Sequence, residues 1–318
     1  METPPLNKID GRRKIWNRQG KGPDGLSREI TAQQLTARDL RVMQALEKYP
    51  VLDTYHLFEL VGGKCLKRFK ERLRLLSDPP NNWILWPHRQ TYRANNYLKV
   101  SLWQRSRRAR EELLRRGLPV NIDLYPEYKS IFEHQYLTYG TLASIELGGA
   151  KLDIIRYKEP LEVSIEKELD GELHKKTFRY TNDELASITF DNGGVGYIQL
   201  ELEKGNSVRR NNLEQASFQR KFLALKVIME KELYKTKWGL PNLLSLFVSP
   251  FPEKIGEMKE VVLEETNGIG VPWLLFETTI GFDDPYFSLK PRPELFTGTW
   301  ERTGKYAPWS LSTPPKLR

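Results

Sequence analysis

The stretch NDELASITFDNGGVGYIQLELEK, residues 182–204, constrains the fold more than any other part of the chain. On its first arm Ala186, Ile188 and Phe190 alternate with Asp183, Ser187 and Thr189, Leu185 being the exception. On its second, Ile198, Leu200 and Leu202 alternate with Gln199, Glu201 and Glu203. A period of two marks strands with one face turned to a core, and Asn-Gly-Gly between the arms supplies a turn. A hairpin must bring both apolar faces to one side, so paired residues have numbers of even sum. A loop of residues 192–194 joining Asp191 to Val195 satisfies this and sets Asp183 opposite Glu203, with Glu201 one step along the same face. Asp191 itself is explained as turn chemistry.

Directly opposed Cβ atoms stand about 4.5–5.5 Å apart, so these three carboxylates can converge on one ion. A solvated sheet face is the plain alternative. A hard divalent ion, Mg²⁺ or Mn²⁺, prefers oxygen ligands and would turn the mutual repulsion of the acids into a binding site. In the absence of an ion, Asp183→Asn is expected to relieve the crowding.

Charge divides the chain of 318 residues into two parts. Residues 1–120 hold 25 Lys+Arg against 12 Asp+Glu, or +13, and the remainder holds 25 against 29, or −4. From Lys64 to Arg116 there are 15 basic residues and four acidic ones, a density suited to a polyanion. Cys65 is the single cysteine, which excludes an internal disulfide and a Cys-rich zinc site. The longest apolar runs, LLSLFV and VPWLLF, are too short to cross a bilayer, so no membrane is expected and a cytoplasmic location is the default.

Four regions follow from composition and periodicity. Residues 1–30 read as a flexible basic arm carrying Arg12, Arg13, Lys14 and Arg18. Residues 31–120 read as a winged helix-turn-helix. Its first helix, about 37–49, opens on a capping box of Thr36 and Asp39, a second short helix starts at Thr54, and a third covers KCLKRFKERLRLL. Leu66, Phe69, Leu73 and Leu76 form the buried stripe of that third helix, leaving Lys64, Lys67, Arg68, Lys70, Arg72 and Arg74 as DNA-contact candidates. WILWP and NYLKVS make the wing, with Arg89 and Arg93 at its turn, and a basic helix of roughly 103–116 adds Arg105, Arg107 and Arg108. Residues 121–282 alternate strands and helices as an α+β or α/β unit. In it the pattern predicts a helix at 127–140, strands at ASIEL and LDIIRY, a hairpin turning at Asp170-Gly171, a long helix at 210–234 and strands at LLSLFV and WLLFET. Residues 283–318 are rich in Pro and aromatics, a tail able to wrap the domain or hold a protein partner.

An acid, a strand and turn, a second acid on the next strand and then a long helix resemble the PD-(D/E)xK nuclease-like fold, which implies a mixed central sheet flanked by helices for residues 121–282. With a winged helix in front, the order is similar to the plasmid replication-relaxation family, which includes nuclease-like relaxases. The resemblance rests on LTARDLRVMQALEKYPVLDTYHLFEL, NNYLKVS, NDELASITF, YIQLELEKGN and SFQRKFLALK and covers most of residues 35–280. It implies that Asp183 and Glu201 are the metal-binding acids, although Asn182 stands where proline is usual and Glu203 where a lysine is expected. Lys204, next to it, or Lys221, on the following helix, would supply the displaced ammonium, and Glu133 matches the accessory acid loosely, with His134 beside it. The implied catalytic set is Asp183, Glu201, Glu203, Lys204 and Lys221, with Mg²⁺ or Mn²⁺ held by the three acids.

Two functions follow. One is a DNA-binding protein of plasmid replication or conjugative mobilisation with a metal-dependent nicking domain. The other is a non-catalytic DNA-binding regulator in which the nuclease-like unit serves as a dimerisation or docking platform, which Glu203 at the lysine position favours. Double-stranded DNA is the partner in both, and a homodimer is compatible with either.

Overall fold

The computed structural model describes residues 29–86, 101–120, 132–156, 158–169, 171–204, 207–210, 213–278 and 290–314. It is a mixed α+β structure that divides into two compact units, Met1–Lys129 and Ser130–Arg318. No helix among the described residues is long and apolar enough to cross a membrane.

The first unit begins with helix α1 (Ala37–Lys48), whose capping box forms as the sequence predicts: Thr36 N donates to Asp39 Oδ2 at 2.8 Å and Asp39 N to Thr36 Oγ1 at 3.2 Å. A three-residue strand, β1 (Val51–Asp53), leads straight into α2 (Thr54–Val61), because Asp53 ends the strand and caps the helix at once. Its Oδ1 accepts from Tyr55 N at 2.6 Å and His56 N at 3.0 Å. Helix α3 (Leu66–Ser77) starts two residues later than expected, after Cys65 as N-cap; it buries Phe69, Leu73 and Leu76 in the unit's core, to which Met43 and Leu46 of α1 also belong, and leaves Lys67 and Arg68 exposed, as is Lys64 ahead of it.

Strands β2 (Ile84–Leu85) and β3 (Leu102–Arg105) complete a three-stranded antiparallel sheet with β3 in the middle, Trp103 facing Leu52 and Arg105 facing Ile84. The expected basic helix therefore starts later. Residues 102–105 pair as a strand, and helix α4 (Arg107–Arg115) begins only after Ser106, whose hydroxyl accepts from Ala109 N at 3.0 Å. Ser106 is a cap residue inside the predicted helix, and that signal sets the boundary. The predicted wing strand NYLKVS lies, apart from Ser101, outside the described residues, as do Arg89, Arg93 and the basic arm up to residue 28.

The second unit is built on a five-stranded mixed sheet. Helix α5 (Phe132–Leu147) precedes strand β4 (Lys151–Ile154), and ASIEL belongs to this helix, not to a strand. The hairpin β5 (Leu161–Leu169) and β6 (Glu172–Tyr180) follows as predicted, then β7 (Glu184–Thr189) and β8 (Val195–Leu202). The predicted long helix is shorter and broken: α6 (Phe218–Glu230) stops before Glu232, which has φ 48°, and α7 (Leu233–Thr236) adds one turn. Strand β9 (Leu244–Ser249), helix α8 (Pro252–Glu265) and strand β10 (Leu274–Thr278) finish the sheet, whose order is β10-β9-β8-β7-β4. The first three of these run parallel and β7 and β4 run antiparallel to their neighbours.

Both faces of this sheet are buried. Leu185 and Phe247 join Phe218 and Phe222 of α6 and Met258 of α8 in one core, while Ala186, Ile188, Ile198 and Leu200 are buried on the opposite face. Leu185, the exception to the alternation, was the sign of this second covered face. Residues 290–314 are not a separate tail but part of this unit. Helix α9 (Glu294–Thr297) and strands β11 (Thr299–Trp300) and β12 (Trp309–Ser310) bring Leu295, Trp300 and the neighbouring Leu311 into buried positions, and Glu301 bridges to Phe276 of β10.

Candidate functional site

The hairpin β7–β8 forms with the predicted parity and a different register. Thr189 faces Val195 and Glu184 faces Leu200, so continuing the ladder by one rung puts Asp183 across from Glu201 rather than Glu203. The turn decides this. Phe190 N donates to Gly194 O at 2.9 Å, and the three-residue loop between them carries Gly193 at φ 80°, the left-handed position that such loops fill with glycine. The loop is 191–193, one residue earlier than predicted, which shifts the register by two and keeps every side chain on its face.

That face lies against α6, and its acids are not solvated: the side chains of Glu201 and Glu203 are 0 % and 3 % exposed. Both meet Lys221, the fourth residue of α6, whose Nζ donates to Glu201 Oε2 at 2.8 Å and to Glu203 Oε1 at 2.7 Å. Ser217 places the lysine by capping α6, its hydroxyl accepting from Arg220 N at 3.1 Å. Of the two candidate ammonium groups, it is that of Lys221 which meets the carboxylates; Lys204 lies past the strand end, where its carbonyl accepts from Lys254. Asp183, just ahead of β7, accepts from Leu202 N at 2.8 Å, and its Oδ2 lies 3.1 Å from His134 Nε2 on the first turn of α5. The Glu133 side chain lies outside what is described.

Charge in this pocket is balanced from within. Burial works to raise the Asp183 pKa, yet the His134 hydrogen bond and the Lys221 charge outweigh it and leave it below the ordinary value. Burial likewise works to lower the pKa of His134, and Asp183 reverses this to a net rise. Burial pushes Glu201 up to about 7, against the pull of Lys221 and with help from the charge of Asp183. For Lys221, burial opposes the ammonium, and Glu201, Asp183 and Glu203 together more than offset it, so its pKa is raised.

The expected convergence of three carboxylates on one ion is not the arrangement found. Among the described residues no group of three His, Cys, Asp or Glu side chains is placed to hold a metal, because Lys221 draws Glu203 and one oxygen of Glu201 to itself. Asp183 and Glu201 are the two carboxylates whose chemistry suits a hard divalent ion, although Tyr180 and Lys221 already occupy both oxygens of Glu201. Asp183 and Glu201 share a face and act on each other's charge, each carboxylate oxygen carries more than one lone pair, and Mg²⁺ is commonly held by one or two carboxylates plus phosphate. Asp183, His134 and Lys221 keep 24 %, 26 % and 22 % of their side chains exposed, so solvent reaches the cluster along these three and not through Glu201 or Glu203.

No family model, curated protein or solved structure matches this chain at a significant level. The reading of the site therefore rests on its own geometry.

Sequence reasoning missed Tyr180 and Gln199. Tyr180, the last residue of β6, donates its hydroxyl to Glu201 Oε1 at 2.7 Å and accepts from Gln199 Nε2 at 3.2 Å. Gln199 was visible as a polar residue on the acids' face, whereas nothing in the sequence joined Tyr180 to them across an intervening turn.

The basic candidates of the first unit divide by burial. Lys64, Lys67 and Arg68 are exposed, and Lys70 is half-buried with its ammonium 4.9 Å from the ring of Tyr55. Arg72 is committed to Asp39, its Nε and Nη2 donating at 2.9 Å and 2.6 Å, and Arg74 lies in the last turn of α3. Arg107 pairs with Glu111 at the surface, and Arg108 stacks on Trp83 at 4.0 Å. Arg105 is not on the surface at all. It lies on β3, where it is paired with Glu47 in the core, so its position does not support a DNA contact.

Proposed function

We propose that this protein binds double-stranded DNA through its first unit and nicks it through its second, as a relaxase-like protein of plasmid replication or conjugative mobilisation would. The observation that carries the reading is Lys221: with Glu203 standing at the lysine position of β8, an ammonium reaches the same carboxylates from α6 instead. The order helix, strand, strand, strand, helix, strand formed by α5, β4, β7, β8, α6 and β9 supports a PD-(D/E)xK-like unit, with β5–β6 as an insertion. The order α1, β1, α2, α3, β2, β3 and the exposed cations of α3 support a winged helix.

When bound, Mg²⁺ or Mn²⁺ would supply an activated water and stabilise the negative charge developing on the phosphoryl oxygens. Asp183 and Glu201 would hold it. Lys221 would present a fixed cation to the reacting phosphate, and His134, 26 % exposed, would keep Asp183 oriented. A second reading, a non-catalytic regulator, is favoured by the way Lys221 already satisfies Glu203 and half of Glu201.

Nicking of supercoiled DNA by the full chain in Mn²⁺, alongside Mn²⁺ titration calorimetry, separates the two. The enzyme reading expects ion binding and nicking that are both lost in Asp183→Asn, with DNA binding retained. Salt-sensitive DNA binding without any divalent-ion binding selects the regulator.

A further inference from the structure

Glu201 has no exposed side-chain surface, so the direction of its carboxylate is set from within the core. The groups that set it form a chain across three strands. Tyr180 OH donates to Glu201 Oε1 at 2.7 Å, Gln199 Nε2 donates to Tyr180 OH at 3.2 Å, and the same nitrogen donates to Ser245 Oγ of β9 at 2.8 Å. Tyr180, Gln199 and Ser245 are all buried.

This chain has a cost. Gln199 Oε1 is buried and meets no donor among the described residues, a defect worth about 1–3 kcal/mol. An apolar side chain would fill the same space with no such defect. Local rules are broken in this way where a site requires it.

The same hairpin also braces the lysine. Leu161, Val163 and Ile165 of β5 share a core with Phe218 and Phe222 of α6, the helix that carries Lys221. We propose that Tyr180 and Gln199 are positioning residues that fix the Glu201 carboxylate for a divalent cation, so that the inserted β5–β6 hairpin is part of the site's scaffold. This deepens the nicking reading and rests on it.

The test uses full-length Tyr180→Phe, which keeps the ring and removes the hydroxyl, with Ser164→Ala as a control on the hairpin's exposed face, where Ser164 Oγ lies 2.6 Å from Thr177 Oγ1. Mn²⁺ affinity by calorimetry and nicking turnover should fall about 10–100-fold in Tyr180→Phe, as for other groups that orient a metal ligand. KM for supercoiled DNA and DNA affinity should not move, and Ser164→Ala should match the wild type throughout. Should Tyr180→Phe fail to fold, Gln199→Met carries the same test, with a loss in the same direction. Wild-type Mn²⁺ affinity and turnover in the variant overturn the positioning role while leaving the nicking reading intact. A wild type that neither binds Mn²⁺ nor nicks removes the nicking reading, and this role falls with it.

Discussion

Arg105 Nη1 of β3 lies 3.3 Å from Glu47 Oε2 of α1, and both side chains are 3 % exposed. A buried ion pair adds little over an apolar pair of the same shape, but removing one partner strands the other charge in the core. Arg105→Met should therefore cost about 3–5 kcal/mol in denaturant unfolding. The folded fraction should bind DNA as the wild type does. A loss of DNA affinity with unchanged stability would return Arg105 to the DNA-contacting set.

The exposed cations Lys67 and Arg68 of α3, and Lys64 just ahead of it, should behave in the opposite way. Replacing Lys64, Lys67 and Arg68 by Ala removes no buried partner, so the melting temperature should stay near that of the wild type. Every phosphate that a cation neutralises adds roughly 0.9 to the steepness of log K against log salt, so the triple variant should show a slope shallower by roughly 2 to 3 if all three side chains reach phosphate. Fluorescence anisotropy with duplex DNA over a salt series measures this. An unaltered slope would place the DNA-binding face elsewhere.

The opposite fates of these cations mark what could be read from the sequence. Alternation in residues 183–203 gives the parity of the hairpin, because parity depends only on which side chains are apolar. It does not give the register, which turned on whether Gly193 or Gly194 took the left-handed position. Stripes such as Phe69, Leu73 and Leu76 give helix faces, so the exposure of Lys67 and Arg68 was legible. The burial of Arg105 was not, since it depends on β3 pairing with β1, a strand of three residues between two helices. Asp183, Glu201, Glu203, Lys204 and Lys221 were named together only through a resemblance, and of these Lys221 is the one that hydrogen-bonds Glu201 and Glu203. That the lysine, and not an ion alone, answers the acids depends on where α6 packs, which no local pattern records.

Glu184 offers a test of burial through pH. Burial, only partly countered by Arg156 and Tyr139, raises its pKa from 4.5 to about 7. The folded state holds this proton more tightly than the unfolded chain, so the group's contribution is fully present below 4.5 and is lost as pH rises towards 7. Glu184→Gln should flatten that part of the decline in the urea midpoint, leaving the parts due to Glu201 and His134. An unchanged pH profile would mean that Glu184 is better solvated than its position implies.

Lys221→Met should be among the most destabilising single changes in the second unit. It leaves Glu201 and Glu203, side by side on one face of β8 and its continuation, without their lysine at 0 % and 3 % exposure. The loss should be about 3–5 kcal/mol near neutral pH and smaller in acid, where the stranded carboxylates take up protons. Adding Glu201→Gln to Lys221→Met should recover part of it, a coupling that a double-mutant cycle reads directly. Independent, additive losses would show that the two side chains do not interact in solution.

Asp183→Asn was expected to relieve crowding among three acids in the ion-free chain, and the geometry reverses that sign. Asp183 faces His134 at 3.1 Å and feels the charge of Lys221, so its pKa is lowered from 3.8 and its carboxylate contributes stability above that value. His134, raised above 6.5, contributes stability below that value and loses it as pH climbs through the raised pKa. Asparagine still accepts from Leu202 N but offers no charge to either cation. The ion-free variant should therefore be less stable than the wild type, and the deficit should be larger at about pH 5.5, where both contributions operate, than at about pH 8.5. Urea midpoints at the two pH values measure it. Adding Mn²⁺ should raise the melting temperature of the wild type and not that of the variant, because an ion bound only by the folded state stabilises it. A variant as stable as the wild type at both pH values would mean that the His134–Asp183 contact does not hold in solution.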